Sequence, residues 1–219
     1  MRIKLISNQS EYIQQDTNIP VECVIGKVSV VHRKLKDTPT PLDHHNQYQE
    51  LPSACEQALD IVLLTPPEYN TLCDTENNTY VSVAGSIDAD VIMAIAILTD
   101  KYQPSNKAQK LIAQVGKADM NVTLLEEEIV PHFYLIRQII GKARLAIAKA
   151  KNDLAIIGAT EEELWQCAVE QVQHLLNNMD EYDMPANVLR KSIWQKKNRD
   201  EQTQTVSLTH YQAKVLQCV

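Results

Sequence analysis

The chain has 219 residues, 44% hydrophobic and 22% charged, a balance that buries a core and excludes general disorder. Its formal net charge of -7 gives it no overall attraction for a polyanion. Only 5 residues are glycine, and Gly26, Gly85, Gly116, Gly141 and Gly158 stand too far apart for a P-loop or a G-x-G-x-x-G turn, so any phosphate must be held without a glycine-rich loop.

In chain order, residues 2–7 and 21–31 read as strands, being β-branched and partly alternating. A polar, proline-bearing loop follows. Ser53 and Glu56 then form a capping box ahead of a helix through Leu64, which Pro66 and Pro67 end. Tyr80–Ala84 reads as a short buried strand. From Val91 the sequence VIMAIAILTDKY predicts an apolar helix covered on most sides. Pro104 and Ser105 open another helix that is expected to stop near Gly116, where a left-handed cap fits. Residues 122–153 predict one long helix or two, with Pro131 as break or first-turn residue. Thr160 and Glu163 form a second capping box, followed by Leu164, Ala168, Val172, Leu175 and Met179 at helical spacing. Residues 205–209 read as one more strand.

This order indicates an α/β fold, a sheet covered by helices, with a largely helical C-terminal half. Residues 1–120 would be the α/β core, and 121–219 a helical region packing on it and ending in a polar tail. No Gly/Pro/Ser-rich linker marks a boundary, so one single domain is the other reading. Leu135, Ile136, Ile139 and Ile140 are read first as packing on the sheet and second as a homodimer or partner surface. The basic run Arg190, Lys191, Lys196, Lys197 and Arg199 reads as a solvated tail. Five cysteines without a C-x-x-C pair read as reduced thiols. The N-terminus lacks the apolar stretch of a signal peptide, and no apolar run approaches the ~18 residues of a membrane span. A cytoplasmic protein without membrane contact is the expectation.

Two clusters can carry chemistry. Asp43, His44, His45 and Asn46 lie in the loop before the first capped helix, and Asp88 and Asp90 lie between a strand and a helix. Such junctions are where α/β proteins place their sites. Carboxylates and imidazoles together offer ligands to a divalent ion. Capping by the two aspartates and plain solvation of the histidines are the alternatives. Glu128 and His132, one helical turn apart, form a weaker metal pair. Cys55 at a helix start has no neighbouring histidine to activate it.

Leu42-Asp43-His44-His45-Asn46, with Leu51–Leu59 after it, resembles the signature region of the DHH phosphoesterase superfamily. Val83–Ala94, with its Asp88-Ala89-Asp90, is similar to that superfamily's Asp-x-Asp signature. Lys110–Asp119 resembles its helix-then-aspartate segment. The two signatures occur here in reversed order, and Ser86 stands where the family has a histidine. The resemblance implies a metal-dependent phosphohydrolase using manganese or magnesium to activate water. Asp43, His44, Asp88, Asp90 and Asp119 would be metal ligands, and His45 a ligand or the catalytic group beside the scissile phosphate. The implied substrate is a phosphate-containing small molecule or short nucleic acid. The glycine-rich second domain of the family is not recognisable, so a catalytically degenerate binding or interaction module is the alternative.

Overall fold

The structure is a computed structural model describing residues 2–6, 18–22, 24–25, 28–29, 42–45, 51–63, 80–83, 87–98, 104–120, 125–152, 159–182, 184–186 and 188–189. The basic run at 190–199 and the expected strand at 205–209 lie outside the described residues.

Among the described residues there are five short strands: β1 (Arg2–Leu5), β2 (Asn18–Val21), β3 (Val24–Ile25), β4 (Val28–Ser29) and β5 (Tyr80–Val83). β5 lies between β1 and β2 and pairs with both in parallel, Val81 opposite Ile3 and Ile19. β3 and β4 form a separate two-residue antiparallel ladder. The run 21–31 is therefore not one strand. It breaks at Glu22, which adopts a left-handed φ of 45°.

The described residues also form the helices α1 (Ala54–Val62), α2 (Ala89–Leu98), α3 (Asn106–Met120), α4 (Val130–Asn152) and α5 (Glu161–Asn177). They run from 9 to 23 residues, whereas no strand among the described residues exceeds 4. The expected α/β core, a sheet covered by helices, is thus corrected: the described chain is mostly helical. The physical reason lies in α2. Every residue from Asp90 to Leu98 is buried, and a helix apolar all round takes the centre of a core. It packs against α1, α3, α4, α5 and β2. β-branched residues favour strands only where neighbours pair with them, and here the pairing extends over only a few residues.

Both capping boxes form. Ser53 Oγ accepts the Glu56 N–H while the Glu56 carboxylate accepts the Ser53 N–H, and Thr160 and Glu163 repeat the arrangement at α5. Pro131 sits in the first turn of a single unbroken α4. Gly116, expected to end its helix, lies inside α3 instead. Its role is close approach: a methyl there would overlap Ser53 Oγ and lie 2.8 Å from Glu56 Oε2. The absent side chain lets α3 cross the start of α1.

One hydrophobic cluster runs from Ile3 to Met179 and takes in Ile136, Ile139, Ile140 and most of the apolar face of α5. The aliphatic run on α4 therefore packs inward. Among the described residues, no helix is long and apolar enough to cross a membrane.

Candidate metal centre

The site begins at the edge of the parallel sheet. Val21 ends β2 and bridges to Leu42, and the Glu22 N–H donates to the Leu42 carbonyl at 2.9 Å. This pairing sets Glu22 beside Asp43, His44 and His45. Holding a non-glycine residue in left-handed backbone costs about 1–3 kcal/mol, a strain that the surrounding structure must impose. Gln57 of α1 holds the same loop from the other side, donating to the carbonyls of Asp43 (3.1 Å) and Pro52 (2.7 Å).

Asp90 enters from α2 and is fully buried. Its Oδ2 accepts the Ala54 N–H at 2.8 Å and its Oδ1 accepts the Cys55 N–H at 2.9 Å. The start of α1 is therefore occupied: these two N–H groups go to Asp90, that of Glu56 to Ser53 Oγ, and that of Gln57 to the Ser53 carbonyl. No free donors remain there for a phosphate, so the helix dipole stabilises a protein carboxylate instead. Asp119 approaches from the last turn of α3.

These four segments converge on the His44 imidazole. Its Nε2 lies 3.2 Å from Glu22 Oε1, 3.1 Å from Asp119 Oδ2 and 3.8 Å from Asp90 Oδ2. One ligand atom from each of Glu22, His44, Asp90 and Asp119 falls within 4.8 Å of the others, so this partly buried cluster can hold a metal ion. Glu22, His44 and His45 form a second, overlapping group at the same spacing. His45 is half exposed, with Nδ1 3.7 Å from Glu22 Oε1 and 3.0 Å from Asp43 Oδ1.

Two expected ligands stand apart from the convergent atoms. Asp88 caps α2, its Oδ1 accepting the Val91 N–H at 3.0 Å. Its charge nevertheless reaches the site and acts on Glu22 and Asp119. Asp43 spends Oδ1 on the His45 backbone N–H at 2.8 Å, and its buried Oδ2 has no hydrogen-bond partner. A buried carboxylate oxygen without a donor is the kind of atom that a cation satisfies.

The electrostatics agree with the donor chemistry. Burial, and then the charges of Asp88, Asp90, Asp119 and Asp43, push the Glu22 carboxyl up to about 9. Burial and the same pair, Asp88 and Asp90, raise that of Asp119. Five carboxylates, those of Glu22, Asp43, Asp88, Asp90 and Asp119, crowd together here. A divalent ion would offset that crowding and favour the charged forms of Glu22 and Asp119.

The weaker pair does not assemble. His132 Nδ1 faces the backbone carbonyl of Glu128 at 3.1 Å, and the Glu128 carboxylate pairs with Lys110. Cys55 is fully buried, and burial with Asp90 beside it raises its thiol pKa, which leaves it inert.

Glu22 was not legible as a site residue in the sequence. Its one signal was local: a single acid inside a largely apolar, β-branched run, where burial would demand a partner. Compared with known proteins, the chain matches no family model, no curated relative and no solved structure.

Proposed function

We propose that the protein is a divalent-metal-dependent phosphohydrolase, with Glu22, His44, Asp90 and Asp119 holding the ion. The observation that carries this reading is the convergence of those four side chains, from four separate segments, within 4.8 Å of one another. The likeness of residues 42–46 and 83–94 to the DHH phosphoesterase signatures supports it, as does a hard, oxygen-rich donor set that suits manganese or magnesium.

A bound divalent ion would supply charge neutralisation for phosphate oxygens and a water acidic enough to attack near neutral pH. The chain's own residues do the rest. The β2–Leu42 pairing and Gln57 fix the Asp43–His45 loop, and the α1 N–H groups orient the Asp90 carboxylate. His45, half exposed beside the buried imidazole, is placed to meet a phosphoester and to give or take a proton at its ring nitrogen. Asp43 receives both the His45 backbone N–H and its Nδ1, which sets the ring's orientation. The alternative, a degenerate binding module, draws on Asp90, whose two oxygens already serve the backbone.

The test uses chelator-treated protein reloaded with Mn2+ or Mg2+ and offered pyrophosphate, a cyclic dinucleotide and a short oligonucleotide. Metal-dependent release of phosphate or nucleotide from one of them is expected. Asp119→Asn is the cleanest variant, because Asp119 is the least buried of the four. It should lose more than about a hundredfold in rate, the upper end of the cost of disturbing outer partners of a metal site. Metal binding without turnover of any phosphoester would favour the binding module.

A further inference from the structure

The carbonyl of Ile87 lies one residue before the α2 cap and takes no part in the α2 ladder, whose first bond runs from the Ile92 N–H to Asp88 O. Arg144, on the middle of α4, reaches across and donates from Nη2 to this carbonyl at 2.8 Å. Arg144 is itself exposed, while its neighbours Ile140, Ala143 and Ile147 are buried, so the backbone that carries it is firmly seated. A guanidinium donor makes a charge-assisted bond, stronger than one between neutral groups.

From this contact we infer that Arg144 is a positioning residue for the metal centre, an inference that rests on the metal-site reading above. The bond fixes the peptide plane between Ile87 and Asp88. That plane sets the backbone of Asp88, the direction in which α2 starts and, two residues on, the aim of the Asp90 carboxylate. Asp90 must reach the α1 N–H groups with both oxygens and still face His44, so a small rotation of the α2 start disturbs every contact it makes. α4 thereby braces the acidic segment from outside the site, as outer partners brace ligands in metal proteins.

The inference gives a sign that electrostatics alone would not. Arg144 carries a positive charge near an acidic cluster, so removing it should favour a cation if charge were all that mattered. Positioning demands the reverse. Mn2+ affinity is measured by calorimetry on chelator-treated full-length protein, for the wild type, Arg144→Met and Arg144→Lys. Arg144→Met is expected to bind Mn2+ about tenfold more weakly or worse, the usual cost of losing an outer partner. Arg144→Lys, which keeps a charged donor for the Ile87 carbonyl, is expected to recover most of that loss. Equal or tighter binding in Arg144→Met overturns the inference while leaving the metal site intact. Absence of Mn2+ binding in the wild type removes the metal reading and this inference with it. Arg144→Gln is read in the same way should the methionine variant not fold.

Discussion

α1 and α5 start with the same local device, and the two starts have different fates. At α5, Thr160 and Glu163 close an exposed capping box between themselves. At α1, Ser53 and Glu56 close the same box in the interior, where Asp90 from α2 takes the next two N–H groups and Gly116 of α3 passes close by. The first box only starts a helix. The second is a junction of three helices whose dipole holds a buried carboxylate at the candidate metal centre. A capping box read from sequence thus says where a helix begins, and only packing decides whether that beginning becomes part of a site.

The largest expected effect comes from breaking the α1 junction. Asp90→Ala strands two buried N–H donors, at roughly 1–3 kcal/mol each, so a loss of about 3 kcal/mol or more is expected in denaturant unfolding. A loss under about 1 kcal/mol would mean that the α1 start does not depend on Asp90. The two caps can next be compared directly. Thr160→Ala should cost about 1 kcal/mol, the common value for an exposed N-cap, and Ser53→Ala about 2 kcal/mol, since Ser53 Oγ is buried against Glu56 and Cys55. Equal losses would erase the distinction between the two starts.

The smallest effect concerns a third helix start, away from the acidic cluster. Burial, and then Lys107, lower the pKa of His132 in the first turn of α4 below its usual 6.5. The unfolded chain therefore takes up a proton that the folded chain resists. This contribution is complete above about pH 6.5 and is lost as pH falls from there through the folded pKa. Thermal unfolding of the wild type should weaken over that range, and His132→Gln should flatten this part of the profile. An unchanged slope would place the acid sensitivity elsewhere.

Local signals were legible in the sequence, and long-range ones were not. Ser53, Glu56, Thr160, Glu163 and Pro131 act within one helical turn, and the structure uses them as the spacing predicts. His44, Asp90 and Asp119 could be singled out by residue type and resemblance, because acids and imidazoles at element junctions carry a chemical signature. Asp88 and Asp43 carry the same signature yet spend an oxygen on a local backbone N–H. Sequence spacing does not distinguish the two outcomes. Glu22 joins the site through a bridge between Val21 and Leu42, a contact across twenty-one positions that no periodicity announces. Gly116 was misread for the related reason that a glycine marks either a helix end or a close crossing, and the partner that decides lies on another helix. The α/β expectation failed where strand-like residues met too few partners, while the all-apolar helix at 91–98 supplied the centre of the core.

Glu22 gives the most direct test of the metal centre, since it is common to both ligand groups and the structure alone brings it there. Thermal unfolding of chelator-treated protein is followed against Mn2+ concentration for the wild type and for Glu22→Gln. An ion that binds only the folded state adds about 2.7 kcal/mol at a hundred times its Kd. The expected result is a concentration-dependent rise in the wild-type midpoint, displaced to much higher Mn2+ in Glu22→Gln. A wild-type midpoint indifferent to Mn2+, or a Glu22→Gln titration that superimposes on the wild type, would contradict a metal centre built around Glu22.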